Sequence, residues 1–360
     1  MKFRFTIQVA LVFFALIIGV SAAEAKIWRV NSTPGINADF TTLAAAHTGA
    51  ASGDTLHLEG SATTYGSLTC SKKLIIIGPG YFLGENPSTQ AVAITALVNA
   101  ISFNVGSEGS VVMGCDFTGS AISIFCSDIV IRRNKFSSPN GAIPDWSNGI
   151  IYLYWQSNNS GIGINNIIIS QNYGVYISGA TRVSNGLLIT NNYLGLGAGS
   201  GDATNSSSIS LNDNTVAIIQ NNIFRRGRIN SQNCSFTNNI MVAGSIVGTG
   251  NLFANNLANA DQFGSTNGNQ ANVDMSTVFI GSGSGISSDG MWKLKAGSPA
   301  IGSGFGSTVS NPVDAGMYGN NTSYVLSGMP PIPSIYFFEN QPVGSNTDPI
   351  DVSIKAKSHN

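Results

Sequence analysis

Along this chain the apolar and polar positions repeat one pattern: a short apolar run, two further residues, an asparagine, then another bulky residue. The clearest copies end at Asn134, Asn172, Asn192 and Asn222, the first reading Ile129-Val-Ile-Arg-Arg-Asn134-Lys-Phe136. Asn239 and Asn256 close two more, and an earlier copy carries Cys115 where the asparagine should be. Three residues before this position stand Val112, Ile131, Ile169, Ile189, Ile219, Phe236 and Phe253, all apolar. Two residues before it stand Met113, Arg132, Ser170, Thr190, Gln220, Thr237 and Ala254, mostly polar or small. Adjacent columns of opposite character are what a strand with one buried face produces, because successive side chains point to opposite sides.

Successive copies lie 19, 38, 20, 30, 17 and 17 residues apart. That is too short for a strand and crossover helix throughout, and it suits short coils stacked one upon another. The interval of 38 leaves room for an unmarked coil, which the run from Ile150 to Trp155 would supply. Stacking at about 4.8 Å would turn equivalent side chains into ladders. Asparagine suits the bend because it tolerates left-handed backbone geometry and its amide both donates and accepts. A disordered chain would not hold an apolar column in register through seven copies, so the asparagine richness is not read as disorder.

The ends of such a stack need covering. The segment from Phe40 to Leu58 predicts a short alanine-rich helix, a glycine turn and a strand, placed as an N-terminal cap. Together with Gly53-Asp54-Thr55-Leu56, Thr64-Tyr65-Gly66 and Lys72-Lys73-Leu74-Ile75-Ile76-Ile77-Gly78-Pro79-Gly80, the asparagine-ended repeats resemble the pectate-lyase-like superfamily, many members of which bacteria export. Leu294 to Ile301, followed by Asp314 to Gly319, is similar to the closing segment of those proteins, although Gly302 stands where many relatives have an aspartate. The resemblance implies an all-β fold, a single-stranded right-handed parallel β-helix (a solenoid) with a short N-terminal capping helix, over residues 26–320. Residues 321–360, where proline recurs from Pro330 to Pro333, are expected to be a linker or tail.

Composition narrows the setting. Only 10% of residues are charged and 42 are glycine, so the surface must be polar through Asn, Ser, Thr and Gly. A net charge of −1 offers no electrostatic case for nucleic acid or anionic lipid as partner. Lys2 and Arg4, an apolar run from Val9 to Val20 and Ala23-Glu24-Ala25 predict a signal peptide over 1–25. That run is shorter than the roughly 20 residues a membrane span needs. The mature chain is therefore expected outside the cytoplasm, whether extracellular, at the cell surface or periplasmic, with no membrane insertion. Cys70, Cys115, Cys126 and Cys234 could pair in an exported chain, but a core of this size needs no staples, and small apolar core positions are the preferred reading. No histidine and cysteine cluster suggests zinc.

Candidate chemistry is sparse. Arg132, Arg133 and Lys135 form one basic cluster and Arg225, Arg226 and Arg228 another; with the unmarked coil they would lie about 19 Å apart, too far for one catalytic site but spaced to sit along one bound polymer. Aromatic rings concentrate at Trp146, Tyr152, Tyr154 and Trp155, and Tyr173 and Tyr193 recur in the repeat, which would suit a carbohydrate platform or packing beneath a loop. Acids are scattered singly, with no calcium-loop pattern and no pair for glycoside hydrolysis. The site expected from sequence is thus a polysaccharide-binding surface made of Trp146, Tyr152, Tyr154, Arg132, Lys135, Arg225, Arg226 and Arg228, on a noncatalytic or structural module. The alternative is a lyase or hydrolase acting on a uronic-acid polymer. No metal or cofactor is expected, calcium being possible if the chain is a lyase.

Overall fold

The computed structural model describes residues 24–137, 151–159, 161–179, 183, 185–195, 207–319, 322–341 and 350–359. The expected signal peptide lies almost wholly outside them, as does Trp146. The protein is mostly β, with one short helix and two long parallel sheets among the described residues. One sheet has ten strands, running from Ile27–Val30 through Thr55–Leu58, Ile75–Ile77, Val111–Met113, Ile129–Arg132, Ile167–Ser170, Leu187–Thr190, Ala217–Gln220 and Ser235–Thr237 to Leu252–Ala254. The other has fourteen strands and branches at Asp116–Ile124. Its first arm continues through Lys135–Phe136, Tyr173–Val175, Tyr193–Leu194, Ile223–Phe224 and Ile240–Met241 to Leu257–Ala258. Its second arm continues through Ile151–Leu153, Ile177–Gly179, Ser207–Ser210 and Arg228–Asn230 to Ser245–Val247. The chain visits the two sheets alternately, adding a strand at the growing edge each time.

The repeat explains this registration. Val112, Ile131, Ile169, Ile189, Ile219, Phe236 and Phe253 are successive partners across the ten-stranded sheet, and all but the partly exposed Phe253 are fully buried. A slip of one residue in any strand would turn its whole apolar set outward, so burial fixes the register. Ile131 pairs directly with Ile169, so the interval of 38 holds no extra strand of this sheet. Ile151–Leu153 instead belongs to the second arm of the same circuit, and the two basic clusters are three strands, about 14 Å, apart instead of about 19 Å.

At each bend the asparagines form a buried hydrogen-bonded row. The Asn172 amide N–H donates to Asn192 Oδ1 at 2.9 Å, that of Asn192 to Asn222 at 3.0 Å, that of Asn222 to Asn239 at 2.9 Å and that of Asn239 to Asn256 at 2.9 Å. Each Nδ2 donates to a backbone carbonyl of the preceding circuit, as Asn192 does to Ile169 at 2.9 Å. The row ends on Cys115, whose N–H donates to Asn134, and on Asn269, which accepts from Asn256 N–H. The left-handed backbone conformation falls one residue earlier than expected: Arg133, Gln171, Asn191, Asn221, Asn238 and Asn255 have φ between 52° and 58°, and Gly114 takes that place beside Cys115. One residue turns the chain while the next spans to the neighbouring strand.

The helix Leu43–Gly49 caps the first strands. Thr42 Oγ1 accepts from Ala45 N–H at 3.2 Å, and Leu43 and Ala46 are buried against the core. Seven residues would not hold a helix alone, so packing sustains it.

The C-terminal part returns along the bends. Ser303 accepts from Asn255, Phe305 N–H donates to Asn238, Met317 accepts from Asn191, Thr322 from Gln171 and Met329 from Arg133. As this closing segment advances, its partners step back from residue 255 to residue 133. Residues expected as a linker or tail therefore include packed backbone, and beyond it Ser334–Asn340 and Val352–Lys357 form an antiparallel hairpin. Proline ends the contact with the bends but does not prevent a strand from starting at Ser334.

Two outcomes follow. Asn192→Ala leaves buried groups on both neighbours without partners and should cost about 2–5 kcal/mol in urea unfolding, and Asn269→Ala at the end of the row should cost less. All four cysteines are buried thiols, with Cys115 and Cys126 each pushed up to about 12 by burial. A thiol reagent should therefore count four groups in denaturant and none in the native protein.

Candidate functional site

Outward-facing residues of the ten-stranded sheet meet the closing segment along a groove. Arg132, Ser170, Thr190, Gln220 and Thr237 are successive partners on one strand position, so the groove floor runs about 19 Å at the usual strand spacing. At one end a cavity of about 300 Å³ lies between Arg132, Ser170, Thr190 and Thr322. At the other, about 580 Å³ is enclosed by Thr237, Asn238, Phe305, Asn311, Asp314 and Tyr318. Gln220 lines both, so the two lie next to each other along the polar column. The Phe305 ring is 67% exposed on its wall, an unusual place for a phenylalanine with nothing to cover it.

The lining is dominated by amides and hydroxyls, and its ionisable side chains are Arg132, Asp314 and Tyr318. Asp314 Oδ1 accepts from Gly302 N–H at 2.8 Å, so this carboxylate is engaged by the closing segment's own backbone. The Tyr318 hydroxyl donates to the Asp289 carbonyl, and burial drives its pKa far upward, which keeps it a neutral wall. Arg132 is different. Its Nε is buried and has no hydrogen-bond partner among the described residues. Beside it, Arg133 is held by Gln171 Oε1 and the Met329 carbonyl, both uncharged, and its pKa is lowered to about 10 by burial and then by the Arg132 charge. Two adjacent guanidinium groups without a carboxylate partner among the described residues make this end of the groove electropositive.

The residues singled out from sequence do not assemble into one site. Arg132 lies in the groove. Lys135 stands on the first arm, paired with Asp116 at 2.8 Å and bonded to Ser137, so its charge is already matched. Arg225 and Arg226 occupy the turn between the two arms, Arg225 lying 5.8 Å from the Trp292 ring, and Arg228 begins a strand of the second arm. Tyr152 and Tyr154 are also on the second arm, where Tyr154 stacks on Phe125 at 4.7 Å and contacts Tyr152 at 5.5 Å. Tyr173 and Tyr193 form no open platform. With Ile223, Ile240 and Leu257 they make an outward apolar row, and Val278, Trp292, Ala315, Met317 and Tyr324 cover it.

Sequence reasoning found Arg132 but missed Phe305, Gln220, Thr237 and Asn238. The polar column containing Gln220 and Thr237 was visible, yet its partner wall depends on where residues 303–322 return, and no local periodicity marks that path.

Tyr193 is 3% exposed, stacked on Tyr173 at 4.5 Å and against Trp292 at 4.8 Å. Tyr193→Ala should cost about 3–5 kcal/mol in urea unfolding, and a loss below about 1 kcal/mol would mean that the closing segment does not cover this row.

Compared with protein-family models, with curated proteins and with solved structures, the chain matches none.

Proposed function

We propose that this chain is an exported, single right-handed parallel β-helix of the pectate-lyase-like kind that holds an acidic polysaccharide in the groove between its ten-stranded sheet and its closing segment, without cleaving it. The observation that carries the reading is the groove itself: uncharged amides and hydroxyls in a line, one exposed ring, and one buried guanidinium atom awaiting an acceptor. Sugar hydroxyls exchange donors and acceptors with the partly exposed Gln220 and Thr237, and a sugar's C–H face lies on Phe305. A carboxylate on the polymer satisfies Arg132 Nε with a charge-assisted bond. The alternation of the chain between two parallel sheets and the row of bend asparagines support the β-helix, and the basic, apolar and small-residue order of the first residues supports export.

Binding fits the groove better than catalysis. A glycoside hydrolase needs two carboxyl groups facing each other across the bond, and Asp314 is the single carboxylate among the lining residues. A lyase assisted by calcium needs several carboxylate oxygens at one place.

The purified chain should be retained on a uronic-acid polymer while producing neither unsaturated ends nor new reducing ends. Arg132→Ala and Phe305→Ala should each weaken retention about tenfold or more, equivalent to about 1.4 kcal/mol, whereas Arg225→Ala and Tyr152→Ala should leave it unchanged. Appearance of unsaturated ends would replace this reading with a lyase, and equal retention by all four variants would remove the groove from the account.

A further inference from the structure

The molecule presents two apolar rows on the outer faces of its sheets. The row on the first arm is sealed by the closing segment. The second lies on the ten-stranded sheet, at the outward position farther from that segment, and nothing in the described chain covers its ends: Ile27 is 65%, Ile218 52% and Leu252 71% exposed. The row holds eight aliphatic side chains interrupted by Thr55 and Ser235, half-buried except at Ile27, Ile218 and Leu252, and leaving such a row in water is costly, so patches of this kind mark interaction sites.

The order of residues in this row indicates its occupant. From either end it reads apolar, hydroxyl, then three aliphatics, so the fifth and sixth strands mark a centre. We infer that a second copy of this chain docks face to face on the ten-stranded sheet, about a two-fold axis that runs along the strand direction between Ile129–Arg132 and Ile167–Ser170. That axis sets Ile27 against Leu252, Thr55 against Ser235, Ile75 against Ile218, Val111 against Leu188 and Val130 against Ile168. Every aliphatic meets an aliphatic and every hydroxyl meets a hydroxyl, the self-complementarity an isologous interface requires. The neighbouring outward position agrees. Its two arginines, Arg29 and Arg132, fall opposite Ala254 and Ser170, so no like charges meet.

The size of the face sets the strength of the pair. The column nearer the closing segment is already buried at Met113, Ser170 and Thr190, so the apolar column alone, ten strands about 4.8 Å apart and about 7 Å wide, gives on the order of 300 Å² per copy. Twice that, about 600 Å², is below what stable specific pairs bury, so the dimer is weak, reversible and seen at high concentration. Ile168 and Leu188 also line the groove near Arg132, so pairing and occupation of that end exclude each other; this last point rests on the proposed polymer site.

Light scattering or sedimentation of the purified chain without polymer tests the pairing on its own. The mass should rise with concentration from one chain toward two. The double variant Ile218→Lys with Leu252→Lys should stay at one chain throughout, with an unchanged melting temperature because both side chains are exposed. Ile75→Cys combined with Ile218→Cys should be joined between copies by a short bis-maleimide, and Ile75→Cys combined with Leu252→Cys should not. Wild type that stays at one chain at every concentration, a pair that survives the two lysines, or cross-linking by both cysteine variants would overturn the proposal. Loss of polymer retention in the lysine variant without any change in mass would assign the face to the polymer instead and overturn it equally.

Discussion

Everything in this structure depends on how a bend is satisfied. A chain that turns at the edge of a parallel sheet leaves backbone N–H and C=O groups buried, and each unsatisfied one costs about 1–3 kcal/mol. Here one side chain serves three needs at each bend: its Oδ1 accepts a backbone N–H and an amide from the preceding asparagine, and its Nδ2 reaches a carbonyl of the preceding circuit. The row is buried, and six of its asparagines are fully shielded from water. No methyl or hydroxyl could span two strands and do both. The residue before each asparagine takes the left-handed turn, which frees its side chain to point at the closing segment. Each bend therefore locks the register that burial sets, turns the chain and, through the residue before the asparagine, anchors the segment that forms one wall of the groove.

The closing segment converts a repeating scaffold into a molecule with a distinctive face. It buries the aromatic and aliphatic row led by Tyr173 and Tyr193, and its exposed edge, with Phe305 and Asn311, faces the polar column. Asp289 shows how firmly the segment is held. Fully buried, it accepts from Ser327 N–H, the Asn86 amide and the Tyr324 hydroxyl, and it ties residues near the first circuits to residues near the end of the chain. The neutral lining of the groove and the isolated positive end at Arg132 are consequences of that docking, not of any local motif.

The fold was far more legible than the site. The column from Val112 to Phe253 could be read directly because every copy keeps an apolar residue at the same distance from its asparagine, and those residues do become partners across one sheet. Three features were not legible. The interval of 38 residues is one long circuit, since length alone does not separate an inserted loop from a missing repeat. Asn269 continues the buried row without any strand before it, so the pattern that revealed the others could not find it. Tyr173 and Tyr193 share a repeat position, but whether rings in a row face solvent or a cover depends on a segment more than eighty residues away. Arg132 stood out by charge. What distinguishes it from Arg225 and Lys135 is a buried Nε with no acceptor among the described residues, a feature it shares with Arg228, and what distinguishes it from Arg228 is its place in the groove, which only three-dimensional placement reveals.

The central claim is that the docked closing segment and the polar column together form the binding surface. A crystal structure of the chain with a short oligouronate tests it most directly. The account predicts an uncleaved sugar chain lying along Gln220 between Arg132 and Phe305, with a carboxylate on Arg132 Nε. Sugar bound instead at Tyr152 and Tyr154 on the second arm, or a cleaved product in the groove, would contradict it.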